Sequence, residues 1–248
     1  MILFIFEGAA YEPPLYEGIK ALFFPRSNDQ VLCSFCSSIY TFYKRLKDDF
    51  DGFGDIVDIL KAEKEKTDPT SEIFKYKSSD FESIYLFFDY DFYRDDLDRK
   101  NTQVKELLQY FNEETENGKL FISYPMIESI QYTKELPDNQ YHTYIVSRDD
   151  SVGEKFKKEA RTFCAYQGYA YLKEETNWKH LIHQNVYKAN MLTTGDLSWP
   201  KSKDDIGQRL IFDAQLKKYV IPQNMVAILN AFPMFLYDYF PKERFQSE

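Results

Sequence analysis

The chain has 248 residues, with 31 Lys+Arg against 40 Asp+Glu, and so carries a formal net charge of −9 at pH 7. Aromatic residues make up 18% of it and there are only 9 Gly and 10 Pro, which excludes a disordered, low-complexity or collagen-like chain. The acidic balance argues against a protein that coats duplex DNA through bulk charge, though not against an enzyme that meets nucleic acid through bound cations.

The amino terminus, residues 1–6, is apolar but has no basic leader, and Glu7 interrupts it at once, so it does not read as a signal peptide. Residues 2–6 form a short continuous apolar run, as a strand buried on both faces of a parallel sheet does. After Pro13-Pro14 a short helix is expected, and residues 31–36 read as a second strand. Ile39, Phe42, Tyr43 and Leu46 make the i, i+3, i+4, i+7 stripe of an amphipathic helix. A further helix is expected over 55–64, with Ile56, Ile59 and Leu60 inward, and a polar loop over 61–79. Residues 83–88 are the strongest strand signal and run straight into Asp89-Tyr90-Asp91.

Val104, Leu107, Leu108 and Phe111 share a helix face, which Asn117-Gly118 is expected to close. Residues 120–122 read as a strand leading to Tyr124-Pro125, and 141–146 as one more. Beyond residue 150 the pattern turns helical: Phe156, Ala160, Phe163 and Cys164; Ile182, Val186 and Ala189; Ile206, Leu210 and Ala214; then one apolar helix over 225–240. That last stretch contains Asn230 and Pro233 and is too short to span a bilayer. Three cysteines, Cys33, Cys36 and Cys164, do not make a disulfide framework. The expectation is a cytoplasmic, soluble α/β chain with no membrane partner. A mostly parallel sheet flanked by helices would occupy residues 1–148, with a helical accessory region at 149–248 and the boundary near 147–153.

Three acidic residues stand where a buried strand stops: Glu7, Asp89 and Asp91. In open α/β sheets the functional crevice lies outside the carboxyl ends of the strands. If the two strands are parallel neighbours, all three emerge at one edge. Asp89 and Asp91, two apart on an extended backbone, would point to one side with Cα atoms about 7 Å apart. Two carboxylates at about 4–5 Å repel by about 3–4 kcal/mol at an effective dielectric near 20, and a divalent cation relieves this. Hard oxygen donors select Mg²⁺ or Mn²⁺. The plain alternative is that these acids, with Asp95, Asp96 and Asp98 nearby, form a solvated loop. An EF-hand is disfavoured, since the segment lacks the third ligand and the turn glycine.

A strand ending in Glu7-Gly8, a helix, and a later strand ending in Asp89-X-Asp91 together resemble the toprim domain of topoisomerases, primases and OLD-family phage-defence nucleases. Residues 120–128, a strand followed by Pro125 and Glu128, are similar to the Asn-Pro-X-X-Glu segment of small standalone toprim proteins in defence islands, with Tyr124 in place of the asparagine. The resemblance covers about residues 1–148. It implies that Glu7, Asp89 and Asp91 bind Mg²⁺ (or Mn²⁺), that Glu128 joins them in catalysis, and that the chain is a metal-dependent endonuclease. Its substrate would be DNA or RNA, tRNA among them. The anti-phage setting and an ATPase partner of AAA or ABC type are implied in the same way. Metal-bound water would attack the phosphate in line, or Glu7 would act as general base with its pKa raised by acidic neighbours. Tyrosine-based or primase chemistry would need modules not seen here. The spacing from Glu7 to Asp89 implies an insertion, over Asp51–Ser79.

Other motifs have plainer readings. Cys33-X-X-Cys36 with His180-X-X-His183 would make a Cys₂His₂ zinc site, against which both cysteines look like strand residues. Lys44, Arg45 and Lys47 read as solvated surface, and Arg94, Arg99 and Lys100 as phosphate contacts or surface. The apolar carboxyl-terminal stretch around Phe235, Leu236, Tyr237, Tyr239 and Phe240 is expected to pack within its own domain rather than on a partner. Two competing functions stand beside the nuclease: a glycosyltransferase holding Mn²⁺ and a nucleotide sugar through Asp89-X-Asp91, and a catalytically inactive toprim interaction module.

Overall fold

The computed structural model describes residues 1–25, 29–50, 54–93 and 95–245, with residues 49 and 50 by backbone alone. Asp51, where the insertion was expected to start, and Arg94 lie outside them. The chain divides into two compact units. The first comprises 1–88 and 96–120, the second 89–95 and 121–248. The expected boundary near 147–153 therefore falls inside the second unit.

In the first unit, β1 (Ile2–Phe6), α1 (Glu12–Phe23), β2 (Gln30–Ser34), α2 (Ile39–Phe50) and α3 (Ile56–Thr67) precede β3 (Ser83–Asp89). Then come α4 (Leu97–Tyr110), β4 (Asn112–Glu113) and β5 (Gly118–Ser123), and the ends of β3 and β5, Asp89 and residues 121–123, are counted with the second unit. The five strands form one mostly parallel sheet in the order β2-β1-β3-β5-β4, flanked by helices. β1 pairs in parallel with both β2 and β3, with Phe6 opposite Ser34 on one side and Phe87 on the other. Leu3, Phe4, Ile5 and Phe6 are fully buried; each such side chain contributes about 1.5–3 kcal/mol relative to exposure. The continuous apolar runs thus reflect strands covered on both faces.

Three sequence expectations are corrected here. Helix α3 continues to Thr67, so residues 61–67 are not loop. The Asp55 carboxylate accepts from the N–H groups of Val57 and Asp58, a side-chain cap. Ile56, Val57, Ile59, Leu60 and Lys64 turn inward while Asp58, Glu65 and Lys66 face water. Asn117-Gly118 does not close the preceding helix: α4 ends at Tyr110, and Gly118 opens β5 opposite Glu113. With φ +113°, a Cβ at Gly118 would lie 2.8 Å from Leu86 Cδ1, so glycine is required. Cys36 lies outside β2, exposed and with φ 63°, whereas Cys33 is buried within it.

The second unit holds β6 (Ile145–Ser147), α5 (Gly153–Phe163), α6 (Glu175–Thr193), α7 (Gln208–Gln215), the short α8 (Ile221–Gln223), β7 (Met225–Ala227) and α9 (Ala231–Tyr239). A π-helical turn over Leu216–Val220 joins α7 to α8. The strand expected at 141–146 is a 3-10 turn at Tyr141–Thr143 followed by β6. The single helix expected over 225–240 is instead a strand and a helix. β7 pairs antiparallel with β6, Leu229 forms a two-way backbone bridge with Tyr124, and Asn230 caps α9 through the Phe232 N–H. Pro233 then sits in the first turn, where a missing N–H costs nothing. Phe235, Leu236 and Tyr237 are buried within this unit, as expected. Leu210, read as an inward residue of its helix, is 49% exposed; Ile211 and Phe212 face in instead, beside Ala214, which is buried as expected. No helix among the described residues is long and apolar enough to cross a membrane.

Candidate functional site

In the first unit, Glu7 follows the last residue of β1. Its N–H donates to Phe87 O at 2.9 Å, continuing the parallel ladder one step beyond Phe6. Its side chain is half-buried. The loop behind it is held by Glu12, which is buried and accepts the Gly8 N–H at 3.1 Å. Glu12 was not singled out from sequence; an acid in the first turn of α1, four residues after the glycine, is its only signature. Because β1 and β3 run parallel in this register, both strands release their carboxyl ends at the same sheet edge.

In the second unit, Asp89 ends β3 and is half-buried. The chain does not stay extended to Asp91, as the sequence reading assumed. Asp91 has φ 49°, a left-handed conformation that Asp tolerates better than most residues. The cause is a pair of backbone bonds to the segment after β5: Tyr90 N–H donates to Ser123 O and Asp91 N–H to Pro125 O, each at 3.1 Å. The alternation that would have put Asp89 and Asp91 on one side is therefore broken, and Asp91 is buried at 6% exposure. Tyr90 is fully buried between Phe92, Tyr124 and Phe212, with ring centroids 5.4–5.8 Å away. Burial raises its phenol far above the ordinary value, so it does not ionise in the working range.

Glu128 lies three residues past Pro125, in a 3-10 turn over Ile127–Gln131, and is 2% exposed. Lys157 on α5 reaches its Oε1 at 3.8 Å. That cation was not anticipated from sequence, because nothing local links residue 157 to residue 128. Asp95 is met at 3.4 Å by Arg148, a second basic residue that sequence did not flag. Asp96 is paired with Arg99 at 2.7 Å on the surface.

Glu7, Asp89, Asp91 and Glu128 offer only carboxylate oxygens, the donor kind that a hard divalent cation takes. Among the described residues, no three His, Cys, Asp or Glu side chains stand together closely enough to hold an ion as they are. The same holds for the Cys₂His₂ pairing: Cys33 and Cys36 are free thiols, and burial pushes the Cys33 thiol up to about 11. Of the early basic cluster, Arg45 pairs with Glu63 at 2.7 Å and Lys47 with Glu106 at 3.0 Å, both on the helical surface of the first unit.

Comparisons with protein-family models, with curated proteins and with solved structures return no match to this chain.

Proposed function

We propose that the chain is a Mg²⁺-dependent (or Mn²⁺-dependent) nuclease of toprim type, hydrolysing phosphodiester bonds in DNA or RNA as the effector of an anti-phage defence system. The observation that carries this reading is the parallel pairing of β1 with β3, two buried strands of which the first is followed at once by Glu7 and the second ends in Asp89. Glu7, Asp89 and Asp91 would hold the cation, which when bound supplies charge neutralisation and phosphate polarisation. The chain's own contribution is to keep these acids at a strand edge. The Asp91 backbone is pinned on Pro125 O, and Glu12 fixes the turn after Glu7. Lys157 restrains the Glu128 carboxylate, leaving it to orient rather than to carry free charge. An ATPase partner of AAA or ABC type belongs to the same proposal.

A catalytically inactive interaction module is the second reading. It is favoured by the ion pair that already engages Glu128 and by the buried, turned position of Asp91. One experiment separates the two. Purified chain is incubated with duplex DNA, single-stranded DNA, tRNA and other RNA, with Mg²⁺, with Mn²⁺ and with chelator. Cation-dependent cleavage is expected, reduced at least about a hundredfold in Glu7→Ala and in Asp89→Ala, the scale of losing one transition-state electrostatic contact. Thermal unfolding of both variants should stay near that of the parent. Cleavage undiminished in both variants would refute the assignment, and calorimetry showing no cation uptake would favour the inactive module.

A further inference from the structure

The chain has three histidines, and all of them line one cavity of about 240 Å³ in the second unit. His180 and His183 stand one turn apart on α6, and His142 faces them from the 3-10 turn before β6. The sequence offers the first two as half of a zinc pairing, one that the strand-like cysteines already disfavour. Here their neighbours are not cysteines, and no three of the described ligating side chains converge on a point. The rings surround a volume, which suits a molecule rather than an ion.

Three features describe that molecule. Gln184, next to His183 and one turn on from His180, is 6% exposed, and neither its amide nitrogen nor its amide oxygen has a hydrogen-bond partner among the described residues. A buried donor and acceptor left unmet are costly. Their adjacency calls for a partner with an acceptor beside a donor. The amide turns about a soft terminal torsion, so presenting its edge to the cavity needs no backbone change. Tyr187 supplies a flat wall, its ring centroid 3.8 Å from that of His183, and Trp199 backs both rings edge-on at 5.4–5.5 Å. Finally, no Lys or Arg lines the cavity. Asp138, its one carboxylate, is consumed by the N–H groups of Lys134 and Gln140 and by the hydroxyls of Thr133 and Tyr144. Desolvation and the neighbouring His180 also hold His183 below its ordinary value, which keeps it uncharged near neutral pH. The cavity thus has no permanent cation to recruit a phosphate.

We infer that this cavity binds a nucleobase, with its hydrogen-bonding edge on the Gln184 amide and its ring against Tyr187. Base edges pair side by side with Gln and Asn amides, and bases stack on Tyr and His rings. The inference does not rest on the nuclease reading, because base binding is measured without cation and without cleavage.

The test titrates the full chain, in chelator, with adenosine, guanosine, cytidine and uridine, and separately with inorganic phosphate. Calorimetric heat and tryptophan emission are the two readouts, since Trp199 touches the wall. At least one nucleoside should bind saturably while phosphate does not. Gln184→Leu should weaken that binding at least about fivefold, the lower end of one bidentate base contact. Tyr187→Ala, at a half-buried position, should weaken it comparably at an unchanged unfolding temperature, and it decides the matter should Gln184→Leu fail to fold. A short single strand of the preferred base that competes with the nucleoside identifies a base within a strand as the ligand; no competition identifies a free nucleoside, and either result upholds base binding. No saturable binding of any nucleoside at about 5 mM, the weak end of specific recognition, overturns it. So does binding of phosphate alone, or a folded Gln184→Leu that binds as the parent does.

Discussion

The two units are held together by different means. In the first, the interior is almost wholly apolar: β1 is buried residue after residue, and Phe42 sits among Phe35, Phe88 and Phe111 with ring centroids 5.1–5.4 Å apart. In the second, the interior is knitted by polar side chains. The Asn185 amide oxygen accepts from the Tyr141 hydroxyl and from the Asn230 N–H, each at 2.9 Å. Asn230 in turn donates to Ile127 O and Ser129 Oγ. Gln215 both donates to and accepts from the backbone of Ala227. Lys188, fully buried, donates to the carbonyls of Tyr141 and Tyr144. An apolar interior tolerates any filling of the right volume. A buried polar one specifies particular partners, because each unmet group is penalised.

Four substitutions test this contrast. The largest expected effect is in the first unit: Phe42→Ala should cost about 3–5 kcal/mol through the cavity left between three rings. A denaturant midpoint shifted by less would mean that the aromatic cluster repacks. Next comes Asn230→Ala, which strips a helix cap and two buried hydrogen bonds and should cost about 2–4 kcal/mol with little volume change. A near-neutral Asn230→Ala would remove the distinction between the units.

Lys188 makes the third test a matter of pH. Burial holds its ammonium well below the ordinary value, with Asp138 opposing. Between that depressed value and the ordinary 10.5, the unfolded chain carries a proton that the native chain lacks. Stability from this group is therefore complete above the unfolded value and is lost as pH falls through the folded one. Over about pH 8 to 10 the parent should gain stability relative to Lys188→Met, by at most about 1.4 kcal/mol per pH unit for one proton. Parallel urea midpoints for the two proteins across that range would show that Lys188 is charged in the native state. The smallest effect is Glu106→Ala. It removes hydrogen bonds from Lys47 and Tyr43 that hold the Glu106 carboxyl below its usual range, but the group is half exposed, so less than about 1 kcal/mol should be lost.

The same contrast explains what could be read in advance. β1 and β3 were legible because burial on both faces writes an unbroken apolar run, and α2 because its face repeats at helical spacing. The parallel edge carrying Glu7 and Asp89 follows from those strands. The turn at Asp91 was not legible, since it depends on carbonyls of Ser123 and Pro125, far away in sequence. Nor was the break between β7 and α9: periodicity sees the apolar residues on either side of Leu229 and Asn230, but not the bridge and the cap that those two residues make. The grouping of His142 with His180 and His183 was hidden for the same reason.

The bridge between Tyr124 and Leu229 also bears on how the protein is made. The segment after β5 emerges from the ribosome early, and the backbone groups that satisfy Tyr124 belong to a stretch synthesised much later. Until Leu229 arrives, Tyr124 keeps an open N–H and C=O beside a buried aromatic side chain, an edge of the kind that chaperones shield and that invites pairing with other chains. A premature stop before that residue would leave the second unit unable to close while the strand–helix pattern ahead of it stays complete, so translation errors near the carboxyl end should be cleared by proteolysis rather than accumulate as a folded fragment.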